Sequence, residues 1–114
     1  MENCIFCKIA AGIIPSSKVF EDDRVFAFRD IHPQAPTHVL IIPKKHYTDL
    51  AELDLRDQQL MGYLLHVAVK LARGEAIEQK GYRVAINCGP EGGQMVQHIH
   101  LHLLGGRELT GELG

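Results

Sequence analysis

Apolar and polar positions along this chain change period several times, and each change marks an expected element. Cys4 to Ala11 reads as a short helix, with Asn3 as its N-cap and Gly12 as its stop. Lys18 to Glu21 and Arg24 to Arg29 read as the strands of a hairpin about Asp22 and Asp23. Pro33 and Pro36 make Ile31 to Pro36 a loop, and the β-branched, apolar stretch Thr37 to Ile42 predicts a buried strand stopped by Pro43. Leu60, Met61, Leu64, Leu65, Ala68, Leu71 and Ala72 recur at three- and four-residue spacing, the stripe of one long helix. Asp54 is its expected N-cap, Asp57 lies near the positive end of its dipole, and Gly81 closes the segment. Tyr82 to Cys88 and Val96 to Leu104 read as two further strands joined through the glycine-rich turn from Gly89 to Gly93. That order, with short hairpin-like links, predicts an α+β domain: an antiparallel sheet with helices on one side.

Length and charge narrow the classes without choosing among them. The 114 residues suffice for one small domain, expected to span residues 1–114. A formal net charge of −2 supplies no broad positive field, so nucleic acid and anionic membrane are not expected partners. The most apolar run, Val39 to Ile42, is strand-sized, and the N-terminus carries no secretory pattern. Three cysteines, Cys4, Cys7 and Cys88, are too few for a disulfide scaffold, which points to a reducing cytoplasm.

The chemistry concentrates in the histidines. In a strand from Val96 to Leu104, His98, His100 and His102 project from one face while Ile99, Leu101 and Leu103 project from the other. Aligned imidazoles with strictly apolar alternate positions are costly to bury without partners. A site for an anion or a metal follows more readily than a solvated face, and three histidine ligands for a metal fit the same spacing. Gly92 and Gly93 just upstream would let the backbone approach an anion, although a plain hairpin turn fits them equally well.

The stretch from His98 to Leu104 followed by Gly105, Gly106 and Arg107 resembles the signature of the histidine triad superfamily. Cys4 to Ile9, Phe20 to Arg24, Asp30-Ile31, Pro33 to His38, Ile42 to His46 and Gly92 to Gln94 resemble its Hint branch in order and spacing, from about Cys4 to Arg107. The resemblance implies a HIT-like fold: an antiparallel five-stranded sheet with one long and one short helix, two sheets joining across a homodimer. It also implies a purine nucleoside phosphoramidase, cleaving AMP or GMP conjugates through a nucleotidyl-histidine.

On that resemblance His100 is the nucleophile, flanked by His98 and His102, with His38 beside the triad to help set its tautomer. The phosphate would be held by Asn87, Gly93, Gln94 and the Met95 amide together with His100 and His102. No metal or other cofactor is required for this chemistry. Asp30 would take the ribose hydroxyls with Ile31 beside it, and Ile5, Phe6, Ile9 and Phe28 would wall the base. On periodicity alone those four are simply core residues. Met95 departs from branch members that carry serine here, which leaves the leaving group without a hydroxyl donor.

Cys4 and Cys7, at i and i+3, share a helix face, and by themselves are equally a pair of core thiols. Members that keep the pair can hold structural zinc, here with His46 and His98. Three other functions compete with the phosphoramidase: a dinucleoside polyphosphate hydrolase with the same nucleophile, a nucleotide-binding interaction module with vestigial activity, and a zinc module whose triad serves metal.

Overall fold

The computed structural model describes residues 3–113. In chain order it contains α1 (Ile5–Ala10), β1 (Lys18–Glu21), β2 (Val25–Arg29), β3 (Thr37–Pro43), two short 3-10 turns, α2 (Gln58–Gly74), β4 (Tyr82–Ile86) and β5 (Leu101–Gly105). The strands form one five-stranded sheet in the order β1-β2-β3-β5-β4. All four pairings are antiparallel. The α+β expectation holds, with one long and one short helix.

The placement of the helices differs from the sequence expectation. Val25, Ala27, Val39, Ile41, Leu101 and Leu103 pack with Leu64, Val67, Ala68, Leu71 and Ala72 of α2 on one face. Phe26, Phe28, Leu40 and Ile42 pack with Phe6 and Ile9 of α1 on the other. The helices therefore cover both faces, and all seven residues of β3 are buried between them. The continuous apolar run of β3, in place of alternation, is the signature of a strand buried on both sides.

Local capping also departs from expectation in instructive ways. Cys4, and not Asn3, caps α1, its thiol accepting the Cys7 N–H. Asp54 caps the second 3-10 turn in a reciprocal capping box with Asp57, and α2 begins only at Gln58. Leu65 lies on the outer side of α2, half exposed, outside the buried stripe. The helix ends at Gly74, well before Gly81.

The last two strands are shorter than their apolar patterns. β4 ends at Ile86 and β5 begins at Leu101, where its pairing with both neighbours stops: Ile41 and Ile86 are the last residues in register with it. Beyond Ile42 the next residue is Pro43, which has no N–H to continue a ladder. His98 and His100 therefore precede the strand and only His102 lies within it.

Candidate active site and metal cluster

The histidine face is the α1 face. In antiparallel register His102 stands opposite Leu40 and His38 opposite Leu104, so His38 and His102 are diagonal neighbours on one side of the sheet. The extended chain before Leu101 keeps the same alternation. Ile99 is buried, while the His100 ring lies 5.0 Å from His102 and 5.2 Å from Phe6 of α1, centroid to centroid. Phe6 also meets His98 edge-on at 6.0 Å. The expected grouping of the three rings on one face is present, held by α1 and by local contacts in place of a full ladder.

Hydrogen-bond partners that can act in only one sense fix the tautomers. The His98 carbonyl, an obligate acceptor, lies 2.7 Å from His100 Nδ1, so Nδ1 carries the proton and Nε2 keeps its lone pair. Nε2 has no partner among the described residues, and no buried polar side-chain atom lacks one, so Nε2 reaches solvent. The Gln34 N–H, an obligate donor, points at His38 Nδ1 at 3.1 Å and puts the His38 proton on Nε2. That proton faces His102 Nδ1 at 2.9 Å, so His102 accepts there and carries its own proton on Nε2. Asp30 Oδ2 lies 3.4 Å from the same His38 nitrogen, and Asp30 Oδ1 accepts the His32 N–H.

Burial drives the protonation equilibria in the same direction. It holds His38 below the ordinary imidazole range, against the pull of the Asp30 carboxylate. It lowers His98 and His100 as well. His102 is pushed down to about 4, by burial first and then by the neighbouring His100 and His38 rings. At neutral pH the cluster therefore holds neutral imidazoles, among them the His100 ring with a free lone pair on Nε2.

The glycine-rich loop is ordered differently from expectation. The Gly92 and Gly93 amides bond to Gly89 O and Pro90 O, and the Gln94 amide to Gly89 O, so these three donors close the turn. Asn87 Nδ2 reaches across to Gly92 O at 2.7 Å. A Cβ on Gly92 would sit 2.3 Å from the Cys88 carbonyl oxygen, so only glycine fits there. The Gln94 side chain is buried and saturated: Oε1 accepts from Gly89 N, and Nε2 donates to Thr48 O and Val96 O. The Met95 amide has no partner among the described residues and stays available to an anion, while its side chain is 88% exposed.

At the expected base wall, Phe6, Ile9 and Phe28 are buried in the α1-side core, whereas Ile5 is half exposed. Ile31, beside Asp30, stands almost fully in solvent. These five residues thus divide into three packed core side chains and two that face solvent.

Two clusters have ligand types suited to a metal ion: Cys4, Cys7, His46 and His98, and separately Asp30, His38 and His102. Their tautomers separate them. In the second cluster His38 Nε2 carries a proton, because Nδ1 is occupied by a backbone N–H, so that nitrogen cannot also be a ligand. In the first, His98 donates Nε2–H to Pro43 O at 2.8 Å and turns its Nδ1 lone pair toward Cys4 Sγ at 3.2 Å and Cys7 Sγ at 3.5 Å. His46 Nδ1 lies 3.1 Å from His98 Nδ1 and 3.4 Å from Cys7 Sγ. A tetrahedral zinc site requires about 3.3 Å between nitrogens and about 3.6 Å between sulfur and nitrogen, from Zn–N and Zn–S bond lengths. The donor set fits zinc within a few tenths of an ångström. Burial, reinforced by Cys4, holds the Cys7 thiol above its ordinary value, so binding an ion would release its proton.

Sequence patterns did not single out Gln34, Pro43 and Thr48, because each contributes through a main-chain group that its side chain does not advertise.

The HIT domain family matches residues 11–109. A maize protein named "14 kDa zinc-binding protein" is 56% identical over 108 residues, 93% of this chain and 84% of its own length. The Escherichia coli K12 purine nucleoside phosphoramidase is 49% identical over 108 residues, covering 95% of this chain and 91% of its own. The crystal structure of a HIT family hydrolase from Legionella pneumophila superposes with a TM-score of 0.97 at 54% identity, covering 98% of this chain and all of that one. With the sheet order, the triad and these similarities in agreement, the chain belongs to the HIT domain family.

Proposed function

We propose that this protein hydrolyses purine nucleoside 5′-monophosphoramidates through a nucleotidyl intermediate on His100. The observation that carries this reading is the His100 ring, whose proton is tied to the His98 carbonyl while Nε2 keeps an exposed lone pair. Attack by Nε2 forms an N–P bond as the P–N bond to the leaving amine breaks, and the leaving nitrogen takes its proton from the solvent that reaches this face of the ring. The ring, now substituted at Nε2 and protonated at Nδ1, is cationic, and the His98 carbonyl stabilises that charge through its existing hydrogen bond. Water then attacks phosphorus and yields a proton to solvent, balancing the one taken by the amine, as the N–P bond breaks to release the nucleoside monophosphate and regenerate the neutral ring.

The remaining site residues fall into supporting roles. His102, protonated on Nε2, and the Met95 amide donate to the phosphoryl oxygens. Asn87, Gly93 and Gln94 shape the loop that presents that amide. Asp30 Oδ2 takes the ribose hydroxyls beside Ile31, and Phe6, Ile9, Phe28 and Ile5 border the base. The phosphoramidase name of the E. coli relative favours this substrate over dinucleoside polyphosphates.

Cys4, Cys7, His46 and His98 would hold zinc, whose contribution is structural: it ties α1 to the segment before the nucleophile. The fit of the donor set and the maize relative's name support this assignment. Cytoplasmic residence accords with three unbridged cysteines. The unpaired outer edge of β4 and the exposed Leu65 on α2 support a homodimer joined along that edge, testable by solution mass.

The deciding experiment compares kcat/KM for a fluorogenic adenosine phosphoramidate and for diadenosine polyphosphates, with His100→Ala as control. The phosphoramidate is expected to be preferred, and the variant to lose turnover while keeping its fold. Preference for the polyphosphate would transfer the assignment to the sister activity. Full activity in His100→Ala would end the proposed chemistry.

A further inference from the structure

The zinc-type cluster and the nucleotide site are connected by two short arms. The first arm is His98 itself. Its Nδ1 faces the thiols, its Nε2–H is pinned on Pro43 O at 2.8 Å, and its own carbonyl holds the His100 Nδ1 proton at 2.7 Å. The ring lies wholly out of solvent, so a shift at the ligand end has no free space in which to dissipate before it reaches the main chain.

The second arm starts at His46. Two residues on, Thr48 donates its N–H to Glu52 Oε1 at 2.6 Å and accepts at its carbonyl from Gln94 Nε2 at 2.6 Å. The same Gln94 side chain holds Gly89 N and Val96 O. It thereby braces both sides of Met95, the residue with the unpartnered amide. Both N–H donors of the Gln94 amide are used within the protein, and a phosphoryl oxygen needs a donor, so its contribution to phosphate binding is indirect.

We propose that His98 and Gln94 are positioning residues through which occupancy of the Cys4/Cys7/His46/His98 cluster and binding of nucleotide are coupled, each strengthening the other. The proposal rests on the nucleotide-binding reading of the His100 site given above. An ion at the cluster fixes His46 and His98 at once, and so fixes the two main-chain segments that carry the nucleophile and the phosphate-binding amide. Nucleotide bound at the other end orders the same two segments and pre-assembles the four ligands. Linkage makes the effect reciprocal: the factor by which the ion tightens nucleotide binding equals the factor by which nucleotide tightens ion binding.

The test reads metal affinity and needs no turnover. Zinc affinity of the full-length protein is measured by competition with a chromophoric chelator, with and without saturating AMP. AMP affinity is measured with and without zinc. Zinc affinity is expected to rise about 5-fold or more with AMP, with the same factor in the reverse experiment. Gln94→Leu and Gln94→Met, which keep bulk and lose the three bonds, are expected to bind zinc while the coupling factor falls toward unity. Their kcat is expected to fall more than their KM rises. Equal zinc affinity with and without bound AMP would overturn the coupling while leaving the catalytic reading intact. AMP that fails to bind at all would defeat the catalytic reading, and the coupling with it. Undiminished coupling in both variants would remove Gln94 from the proposal and leave it on His98 alone.

Discussion

His38 Nε2 lies 2.9 Å from His102 Nδ1, and the direction of that hydrogen bond is set by a backbone amide on the far side of the His38 ring. The Gln34 N–H occupies His38 Nδ1, His38 must donate from Nε2, and His102 must accept at Nδ1. A proton position next to the His100 ring is thus determined by the proline loop at 31–36. Replacing His38 by alanine removes the donor and leaves His102 free to adopt either tautomer. We expect kcat for an adenosine phosphoramidate to fall about 100-fold, the lower end of what a positioned proton donor contributes. Imidazole 15N shifts should show His102 changing from one tautomer to a mixture. A single unchanged tautomer in His38→Ala would show that another group sets it.

The neutral histidines make stability depend on pH. In the folded chain His102 titrates near 4, against 6.5 for an ordinary imidazole, and His38 is depressed as well. Between those values the unfolded chain binds more protons than the folded one, so stability is full above about 6.5 and is lost as pH falls toward 4. His102 contributes on the order of 2 kcal/mol once its partial contact with water is allowed for. Urea unfolding at pH 7 and pH 5, both in chelator so that ion release adds nothing, should give a lower free energy at pH 5. The difference should shrink in a His38→Asn, His102→Asn double variant. Equal stability at the two pH values would mean that these rings are not held neutral.

Much of this architecture is legible in the chain, and the failures share a cause. The β-branched run locates β3 to within one residue, and the apolar periodicity locates the body of α2, although the helix starts after Asp54 and ends seven residues before Gly81. The expectation of helices on one side missed that the same run, apolar at successive positions, requires cover on both faces, which α1 and α2 supply from opposite sides. The alternation of His98, His100 and His102 reports which face they share but not whether a neighbouring strand pairs there. That depends on where Ile41 and Ile86 stop, a long-range fact. The roles of Gln34, Pro43 and Thr48 rest on main-chain groups aimed by the fold, which residue identity does not encode. The internal partners of the Gln94 side chain are likewise not encoded in its identity, since a side chain able to bind phosphate is equally able to bind carbonyls.

One residue away from the site carries backbone strain that can be relieved. Ala76 has φ of 58°, the only non-glycine in the left-handed region among the described residues. It follows α2 in a Schellman arrangement: Ile77 N bonds to Ala72 O and Ala76 N to Arg73 O, each at 3.0 Å. Ile77 is buried against the α2-side core, which holds the motif closed despite the strain. An L-residue in this conformation costs about 1–2 kcal/mol through its Cβ, and glycine gives back about 0.5–1 kcal/mol in unfolded-state entropy. Ala76→Gly should therefore stabilise the protein by roughly 0.5–1 kcal/mol, raising Tm by about 3–6 °C. Because Ala76 is exposed, no packing is lost to offset the gain. Thermal unfolding of the variant at pH 7 checks this directly. A lower Tm would mean that the entropy cost of glycine outweighs the relief, and kcat should be unchanged either way because the loop and triad residues lie elsewhere.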